Sequence, residues 1–202
     1  MTATMRRRGT AIAGTAAFTL SVLGLSSPVG AIEAPRLEDC LGAPLPLFAT
    51  IYVPDNSTGW TNGTPGDDVI IGTDGPELIN GEGGADTICG GGGDDWIVGD
   101  TGDDLIRGEG GADTVYGNDG EDWILGDRGH DDLYGGDEDD FISGSTGDDE
   151  IFGEDGDDAI IGDGGDDDLD CGDDTDYGSG DEGTDQQSGC ETWHQDPVTT
   201  VE

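Results

Sequence analysis

The sequence predicts an all-β fold built from short repeated blocks, and three observations support this prediction. A nine-residue period runs from Gly63 to Ser188, which makes 14 consecutive blocks. Glycine and aspartate return at fixed places within the blocks. An aliphatic residue also returns once in each of the first 12 blocks. Such a period is typical of repeat proteins, in which neighbouring units stack and bury one continuous core.

The composition taken alone would favour a disordered chain. The 202 residues include 40 glycines, 48 acidic residues and only six basic residues, so the formal net charge is −42. Acidic, glycine-rich chains usually lack enough apolar surface to fold. The register of the repeat argues against disorder, since position 1 is Gly in 13 of the 14 blocks and position 6 is Asp in 13. The charge excludes binding to nucleic acid and predicts cations as partners.

The first 31 residues have the features of a secretory signal peptide. Three arginines at positions 6–8 precede an uncharged apolar stretch, and small residues follow up to Ala31. Cleavage is expected after Ala31, with Ala34 as the second choice. We favour the general secretory route over twin-arginine export, because the rest of the twin-arginine motif is absent. No other apolar run is long enough to span a membrane as a helix, so we expect a secreted, extracellular protein without membrane insertion.

The sequences of the individual blocks resemble those of a known family. Typical blocks are GGGGDDWIV at residues 90–98 and GDTGDDLIR at residues 99–107. They resemble the nonapeptide of hemolysin-type calcium-binding repeats, the RTX family, whose pattern is G-G-x-G-x-D-x-U-x. The resemblance covers residues 63–188 and implies a parallel β-roll, an RTX β-solenoid. In that fold the first part of each block forms a calcium-binding turn and the last part forms a short strand. Two blocks make one coil, so the 14 blocks imply about seven coils.

Each column of the repeat has a physical reason. Gly at positions 1 and 4 is expected to permit positive φ angles and to turn backbone carbonyls inward. Asp at position 6 supplies a short, hard oxygen ligand of the type that Ca²⁺ prefers. The aliphatic side chains at position 8 are expected to point between the two sheets and to form the entire core. They are Ile70, Ile79, Ile88, Ile97, Ile106, Val115, Ile124, Leu133, Ile142, Ile151, Ile160 and Leu169.

The resemblance places calcium between stacked turns. Each ion is expected to take one position-6 carboxylate from each of two turns, together with backbone carbonyls. We expect about eight to ten Ca²⁺ ions, because Glu77, Glu138 and the last two blocks depart from the pattern. The expected ligands are Asp68, Asp86, Asp95, Asp104, Asp113, Asp122, Asp131, Asp140, Asp149, Asp158 and Asp167. Other acidic residues, such as Asp94, Asp103 and Asp148 at position 5, are expected to be solvated charges.

Other kinds of site find little support. An EF-hand is excluded, because its nearest match at residues 166–177 has Cys171 where the loop needs Gly and Tyr177 where it needs Glu. The sequence has two histidines and no HExxH, GxSxG or phosphate-loop motif, so we expect no enzymatic activity. His130 is expected to be a surface turn residue.

The four cysteines of an exported chain suggest two disulfides. The separation of Cys171 and Cys190 is one coil plus one residue, so the roll is expected to stack and pair them. Cys40 and Cys89 would then pair by elimination. The chain is thus divided into a signal peptide (1–31), an N-terminal cap segment (32–62), the β-roll (63–188) and a C-terminal tail (189–202). The cap segment is expected to contain a strand and to cover the open end of the sheets.

The expected function is that of a secreted calcium-binding protein that folds when multiple Ca²⁺ ions bind between stacked turns. Twelve core side chains are few for a roll of this length, so metal binding is expected to drive folding. An alternative is an extracellular adhesion or matrix protein, with a glycan or cell-surface protein as partner. It rests on outward aromatic residues that recur once per coil, which could equally stack to stiffen the sheets. These residues include Trp123, Phe141 and Tyr177 at position 7, and Tyr116, Tyr134 and Phe152 at position 9.

Overall fold

The computed structural model describes residues 50–53 and 59–194, and within these residues every regular element is a β-strand. In chain order the first strands are β1 (Thr50–Tyr52), β2 (Thr61–Asn62), β3 (Val69–Ile71), β4 (Leu78–Gly83), β5 (Thr87–Gly92), β6 (Trp96–Thr101), β7 (Leu105–Gly110), β8 (Thr114–Asp119) and β9 (Trp123–Arg128). They are followed by β10 (Asp132–Asp137), β11 (Phe141–Thr146), β12 (Glu150–Asp155), β13 (Ala159–Gly164), β14 (Asp168–Asp170), β15 (Tyr177–Ser179), β16 (Gln186–Ser188) and β17 (Thr192–His194). The predicted all-β class is confirmed.

The strands alternate between two parallel sheets. The odd-numbered strands form a nine-stranded sheet in the order β1 to β17, and the even-numbered strands form an eight-stranded sheet from β2 to β16. Strands of the repeat pair in parallel with an offset of two blocks, as Ile106 pairs with Ile124 between β7 and β9. Each coil of two blocks therefore contributes one strand to each sheet, which confirms the β-roll of about seven coils.

The core lies between the sheets and follows the predicted column. All twelve position-8 side chains have zero exposure. Val53 extends this cluster at the N-terminal end and Cys171 at the C-terminal end, so the column is not the entire core. In the thirteenth block, Gly178 stands in place of the aliphatic residue. The ring of Trp193 packs into the space that an aliphatic side chain would occupy there. A Cβ added at Gly178 would lie 2.8 Å from the Trp193 ring.

The strands are longer than the resemblance implies. Strands β4 to β13 have six residues each, because pairing continues from positions 7–9 into positions 1–3 of the next block. The chain turns within this stretch at position 2, where non-glycine residues such as Asp100 (φ 85°) and Asp127 (φ 71°) adopt the left-handed conformation. The segment that connects one sheet to the other is accordingly short and consists of positions 4–6 of each block.

Glycine is required for different physical reasons at positions 4 and 1 of the repeat. At position 4 a positive φ is found, as predicted, for example at Gly102 (118°). At position 1 the prediction was wrong, since glycines such as Gly117 are absent from the positive-φ residues. Gly117 is instead required for space, because an added Cβ would lie 2.6 Å from the carbonyl oxygen of Gly135 and closer still to Asp122 Oδ2.

The ends of the roll extend beyond the repeat. The described parts of the predicted cap segment, residues 50–53 and 59–62, contribute β1 and β2 as outermost strands of the two sheets. At the other end, β17 lies in the predicted tail and pairs with β15. Cys171 and Cys190 form a disulfide with a Cα–Cα distance of 5.0 Å, which is the predicted pair. Cys89 is also disulfide-bonded, and its predicted partner Cys40 lies outside the described residues, as do the signal peptide and its cleavage sites.

Within the described residues, no helix is long and apolar enough to cross a membrane.

Candidate metal centres

Two columns of carboxylates run inside the turns, one along each side of the roll. All eleven aspartates predicted as ligands are buried, with exposures of at most 3%. On one side stand Asp68, Asp86, Asp104, Asp122, Asp140 and Asp158, and on the other Asp95, Asp113, Asp131, Asp149 and Asp167. Asp176 extends the first column and is also buried, although the sequence prediction left it out of the ligand set.

From Asp86 onwards, one carboxylate oxygen of each aspartate accepts a hydrogen bond from the neighbouring coil, whereas Asp68 Oδ2 accepts from the amide of Thr64 at 2.6 Å. The backbone amide of Asp104 donates to Asp122 Oδ1 at 2.7 Å, and the amide of Asp122 donates to Asp140 Oδ1 at 2.8 Å. The same bond joins successive position-6 residues along both columns, as between Asp113 and Asp131 on the other side. This ladder fixes the orientation of the carboxylates, because each one after Asp68 is anchored to the backbone of the coil before it.

The second oxygen has no partner. A buried oxygen without a hydrogen bond is present on twelve aspartates: Oδ1 of Asp68, and Oδ2 of Asp86, Asp95, Asp104, Asp113, Asp122, Asp131, Asp140, Asp149, Asp158, Asp167 and Asp176. Leaving a buried acceptor unpaired costs about 1–3 kcal/mol, and more when the group is charged. A repeated cost of this size indicates that another group satisfies these oxygens.

The surroundings of the unpaired oxygens fit a hard cation. Asp122 Oδ2 and the carbonyl oxygen of Gly135 both lie close to the position that a Cβ on Gly117 would occupy. The same arrangement recurs with Asp104 and Gly117 at Gly99. Carboxylate and carbonyl oxygens are the ligands that Ca²⁺ prefers. Among the described residues no group of three or more His, Cys, Asp or Glu forms a metal cage, so carbonyl oxygens would have to complete each ligand set.

Burial also changes the proton affinity of these carboxylates. Removal from water raises the pKa of Asp122 from 3.8 to about 6, and raises those of Asp95 and Asp140 to about 8. The amide hydrogen bond lowers these pKa values in part, and neighbouring carboxylates raise several of them further. The pKa is also raised for Asp86, Asp104, Asp113, Asp131, Asp149, Asp158, Asp167 and Asp176. A bound cation would favour the charged form that burial disfavours.

Glu77 is different from the aspartates of its column. Both of its carboxylate oxygens accept hydrogen bonds from Thr73, one from the backbone amide at 3.0 Å and one from the hydroxyl group. Glu77, which is not among the expected ligands, therefore offers no unpaired oxygen. At the far end, the amide of Asp176 donates to Glu191 Oε2 at 2.7 Å, so a glutamate outside the repeat takes the place of the next aspartate.

A second ladder at position 5 was missed by the sequence prediction. Asp94 Oδ1 accepts from the amide of Ala112 at 3.0 Å, and Asp148 Oδ1 accepts from Asp166 at 3.0 Å. The direction is the reverse of that at position 6, since here the carboxylate accepts from the coil after it. His130 takes the same place with an imidazole nitrogen, because its Nδ1 accepts from the amide of Asp148 at 2.9 Å. The frequent occurrence of Asp at position 5 is the sequence feature from which this ladder could have been predicted.

The outward aromatic residues stack on the eight-stranded sheet. The rings of Tyr116 and Tyr134 are parallel with centroids 4.6 Å apart, and those of Tyr134 and Phe152 are 4.8 Å apart. Trp96 continues this row at 5.5 Å from Tyr116. On the nine-stranded sheet Trp123 contacts Phe141 at 5.1 Å and is 59% exposed.

Comparison with known families agrees with this geometry. A family model of the RTX calcium-binding nonapeptide repeat, which spans four copies, matches the chain at residues 62–97, 98–133 and 134–169. These consecutive matches cover more than half of the 202 residues. No curated protein gives a significant match. The stacked glycine–aspartate turns and the family match lead to one conclusion: the chain belongs to the RTX calcium-binding nonapeptide repeat family.

Proposed function

We propose that this protein is a secreted calcium-binding protein whose β-roll folds when several Ca²⁺ ions bind between stacked turns. The observation that carries the proposal is the unpaired, buried oxygen on all eleven predicted aspartates. A metal-free roll would keep these oxygens unsatisfied, and the unfolded chain would hydrate them. Because only the folded state binds the ions, the free energy of ion binding stabilises the fold.

The residues proposed to hold calcium are the position-6 aspartates, with the carbonyl oxygens of position-1 glycines beside them. Bound calcium would supply the positive charge that neutralises the two columns. The chain itself supplies the alignment, since each of these carboxylates except that of Asp68 is anchored through Oδ1 to the preceding coil. We propose about eight to ten ions, with affinities near ~10⁻⁴–10⁻³ M, as in other extracellular calcium modules.

Equilibrium dialysis tests this proposal by counting bound ions. Protein dialysed against about 5 mM Ca²⁺, well above the proposed affinity range, should retain about eight to ten ions per chain. Mg²⁺ at the same concentration is the control, because it demands a smaller octahedral site and dehydrates reluctantly. Retention of one ion or none would contradict the proposal, and so would equal retention of Mg²⁺.

Secretion is proposed from the N-terminal sequence and from the metal dependence together. A chain that folds only with calcium stays unfolded where free calcium is low, which suits passage through the general secretory channel. Outside, millimolar calcium would occupy sites of the proposed affinity. Pulse-labelling in cells, with protease added on either side of the membrane, tests this order of events. Protease-resistant precursor in the cytoplasm would contradict it and would favour twin-arginine export.

A second candidate function is adhesion, and the exposure of Trp123 favours it. The parallel rings of Tyr116 and Tyr134 cover each other's faces, so that row stiffens its sheet. Trp123 is 59% exposed on the opposite sheet and could contact a glycan or a cell-surface protein. A pull-down with calcium-loaded protein and a Trp123→Ala variant tests this function. The proposal assigns no catalytic activity to the chain.

A further inference from the structure

The tail after the repeat continues the roll with a shortened last coil. Inside the roll, position-6 residues that share a hydrogen bond are 18 residues apart, whereas Asp176 and Glu191 are only 15 apart. Gly189 adopts the left-handed conformation in this shorter coil, with φ 80°. Trp193 pairs in register with Gly178, which is a position-8 residue. Glu191 therefore occupies the place of a position-6 residue, although it lies outside the repeat.

Asp176 has the same surroundings as the calcium ligands proposed inside the roll. It is 2% exposed, and its Oδ1 accepts the amide of Asp158 at 2.9 Å. Its Oδ2 is buried without a hydrogen-bond partner. The amide of Asp176 donates to Glu191 Oε2 at 2.7 Å, as the amide of Asp104 donates to Asp122 Oδ1. The unpaired oxygen of Asp176 therefore lies at a junction of two coils that the Glu191 carboxylate also reaches.

The two carboxylates at this junction repel each other. Burial raises the pKa of Asp176, the amide of Asp158 lowers it in part, and the nearby charge of Glu191 raises it further. A cation between the carboxylates would remove the repulsion and satisfy the unpaired oxygen. Carboxylate oxygens are ligands that Ca²⁺ prefers.

Two features distinguish this junction from those inside the roll. Position 1 of the block is Cys171, so a side chain is present where the other turns have only the hydrogen of a glycine. Glu191 is exposed, so water molecules from the solvent can complete the ligand set of an ion. Both features predict an affinity at the weak end of the range for extracellular modules, with a Kd of ~10⁻³ M.

We propose that Asp176 and Glu191 form a further calcium site, which fastens the C-terminal strand β17 to the roll. The site rests on the proposed function, since it takes the same ion as the turns of the repeat. It differs from them because one of its two carboxylates comes from the tail. Calcium there holds β17 against β15, in addition to the disulfide between Cys171 and Cys190.

Hydrogen exchange on the full, disulfide-bonded chain tests this site. Glu191→Gln keeps an acceptor for the Asp176 amide and loses the negative charge. At about 5 mM Ca²⁺, amides 192–194 should exchange about sixfold more slowly in the wild type than in the variant, because the ion binds only when β17 is in place. At about 20 mM Ca²⁺ the difference should grow to about twentyfold. A difference that does not change with calcium would show that Glu191 is only structural, and would overturn the site.

Controls separate the site from net charge and from the calcium dependence of the roll. Glu182→Gln makes the same charge change on an exposed residue and should leave amides 192–194 at the wild-type rate. Mg²⁺ at the same concentrations should not slow their exchange.

Strands β7 to β9 report on the proposed function in the same experiment. They should be protected in calcium and unprotected in chelator near neutral pH, in the wild type and in Glu191→Gln alike. Protection of β7 to β9 in chelator would contradict the proposed function, whereas the comparison at Glu191 would still test the tail. Equal exchange of amides 192–194 in wild type and Glu191→Gln at both calcium concentrations would overturn the terminal site alone.

Discussion

At the scale of the residue, each position-6 aspartate serves two roles with two oxygens. Asp122 Oδ1 accepts the amide of Asp104 and so aligns adjacent coils, while Oδ2 remains unpaired in the turn. Oδ1 thus binds the backbone of the adjacent coil, and Oδ2 is the oxygen proposed to bind the ion. The roles can be separated by substitution, because asparagine keeps a carbonyl acceptor and loses the negative charge.

Asp122→Ala should raise the calcium concentration needed for folding far more than Asp185→Ala does. Asp122 is fully buried between intact turns, and its loss leaves the Asp104 amide unpaired at a cost of about 1–3 kcal/mol. Asp185 lies in a terminal block and is only partly buried. Calcium titrations followed by circular dichroism measure both midpoints. Asp122→Asn should fall between wild type and Asp122→Ala, and equal shifts for Asp122→Ala and Asp185→Ala would contradict stacked sites.

Acid should promote folding without calcium and oppose calcium binding. The folded pKa values of about 6 for Asp122 and about 8 for Asp140 lie above the ordinary 3.8. The metal-free roll thus binds protons more tightly than the unfolded chain. Its stability is greatest below about pH 4 and is lost as the pH rises through about 6 to 8. In chelator, β-structure should increase from about pH 8 to about pH 5, while with calcium the folding midpoint should move to higher concentration. A midpoint independent of pH would count against carboxylate ligands.

At the scale of the element, the turn depends on space at position 1. Gly117→Ala should destabilise the calcium-loaded roll by about 1–3 kcal/mol, as overpacking does, because the new Cβ would meet Asp122 Oδ2 and the Gly135 carbonyl oxygen. Gly164→Ala is the matched control, since its Cβ would have ordinary contact with the carbonyl oxygen of Ser145 at 3.5 Å. Thermal unfolding in calcium compares them. Equal losses in the two variants would show that the backbone preference of alanine, not space, sets the effect.

The C-terminal strands depend on the disulfide and on Trp193. The bridge between Cys171 and Cys190 closes a loop with a sequence separation of 19, and such a closure is worth about 3 kcal/mol in the chain-entropy model. Cys190→Ser should therefore speed hydrogen exchange in β15 to β17, while β7 to β9 in the middle of the roll keep their protection. Exchange that rises uniformly along the chain would mean that the roll unfolds as one unit.

Much of the element structure could be predicted because its causes lie within one block of the repeat. The buried column from Ile70 to Leu169 follows directly from the period. The left-handed conformation at Asp100 could not be predicted, since it depends on pairing between coils rather than on the residue type. The same holds for the position-5 ladder at Asp94. Trp193 could not be placed because it fills the gap of Gly178 from outside the repeat.

At the scale of the whole molecule, charge and core size determine when the chain folds. Residues after position 31 hold 48 acids and three arginines, and the sheets enclose a core only one side chain wide per strand. Stacked coils bring the carboxylates of each column to one strand spacing, about 4.8 Å. Cations bound between the turns, as proposed, would offset this repulsion and satisfy the unpaired oxygens. We therefore propose that the roll folds as its calcium ions bind.

Small-angle X-ray scattering with and without calcium tests this claim most directly. In chelator near neutral pH the full chain should be expanded, with a radius of gyration of about 40–50 Å as for an unfolded chain of this length. With about 5 mM Ca²⁺, and not with Mg²⁺, it should contract to about 17–22 Å, allowing for an elongated roll. A compact particle of the same size in chelator would contradict the account.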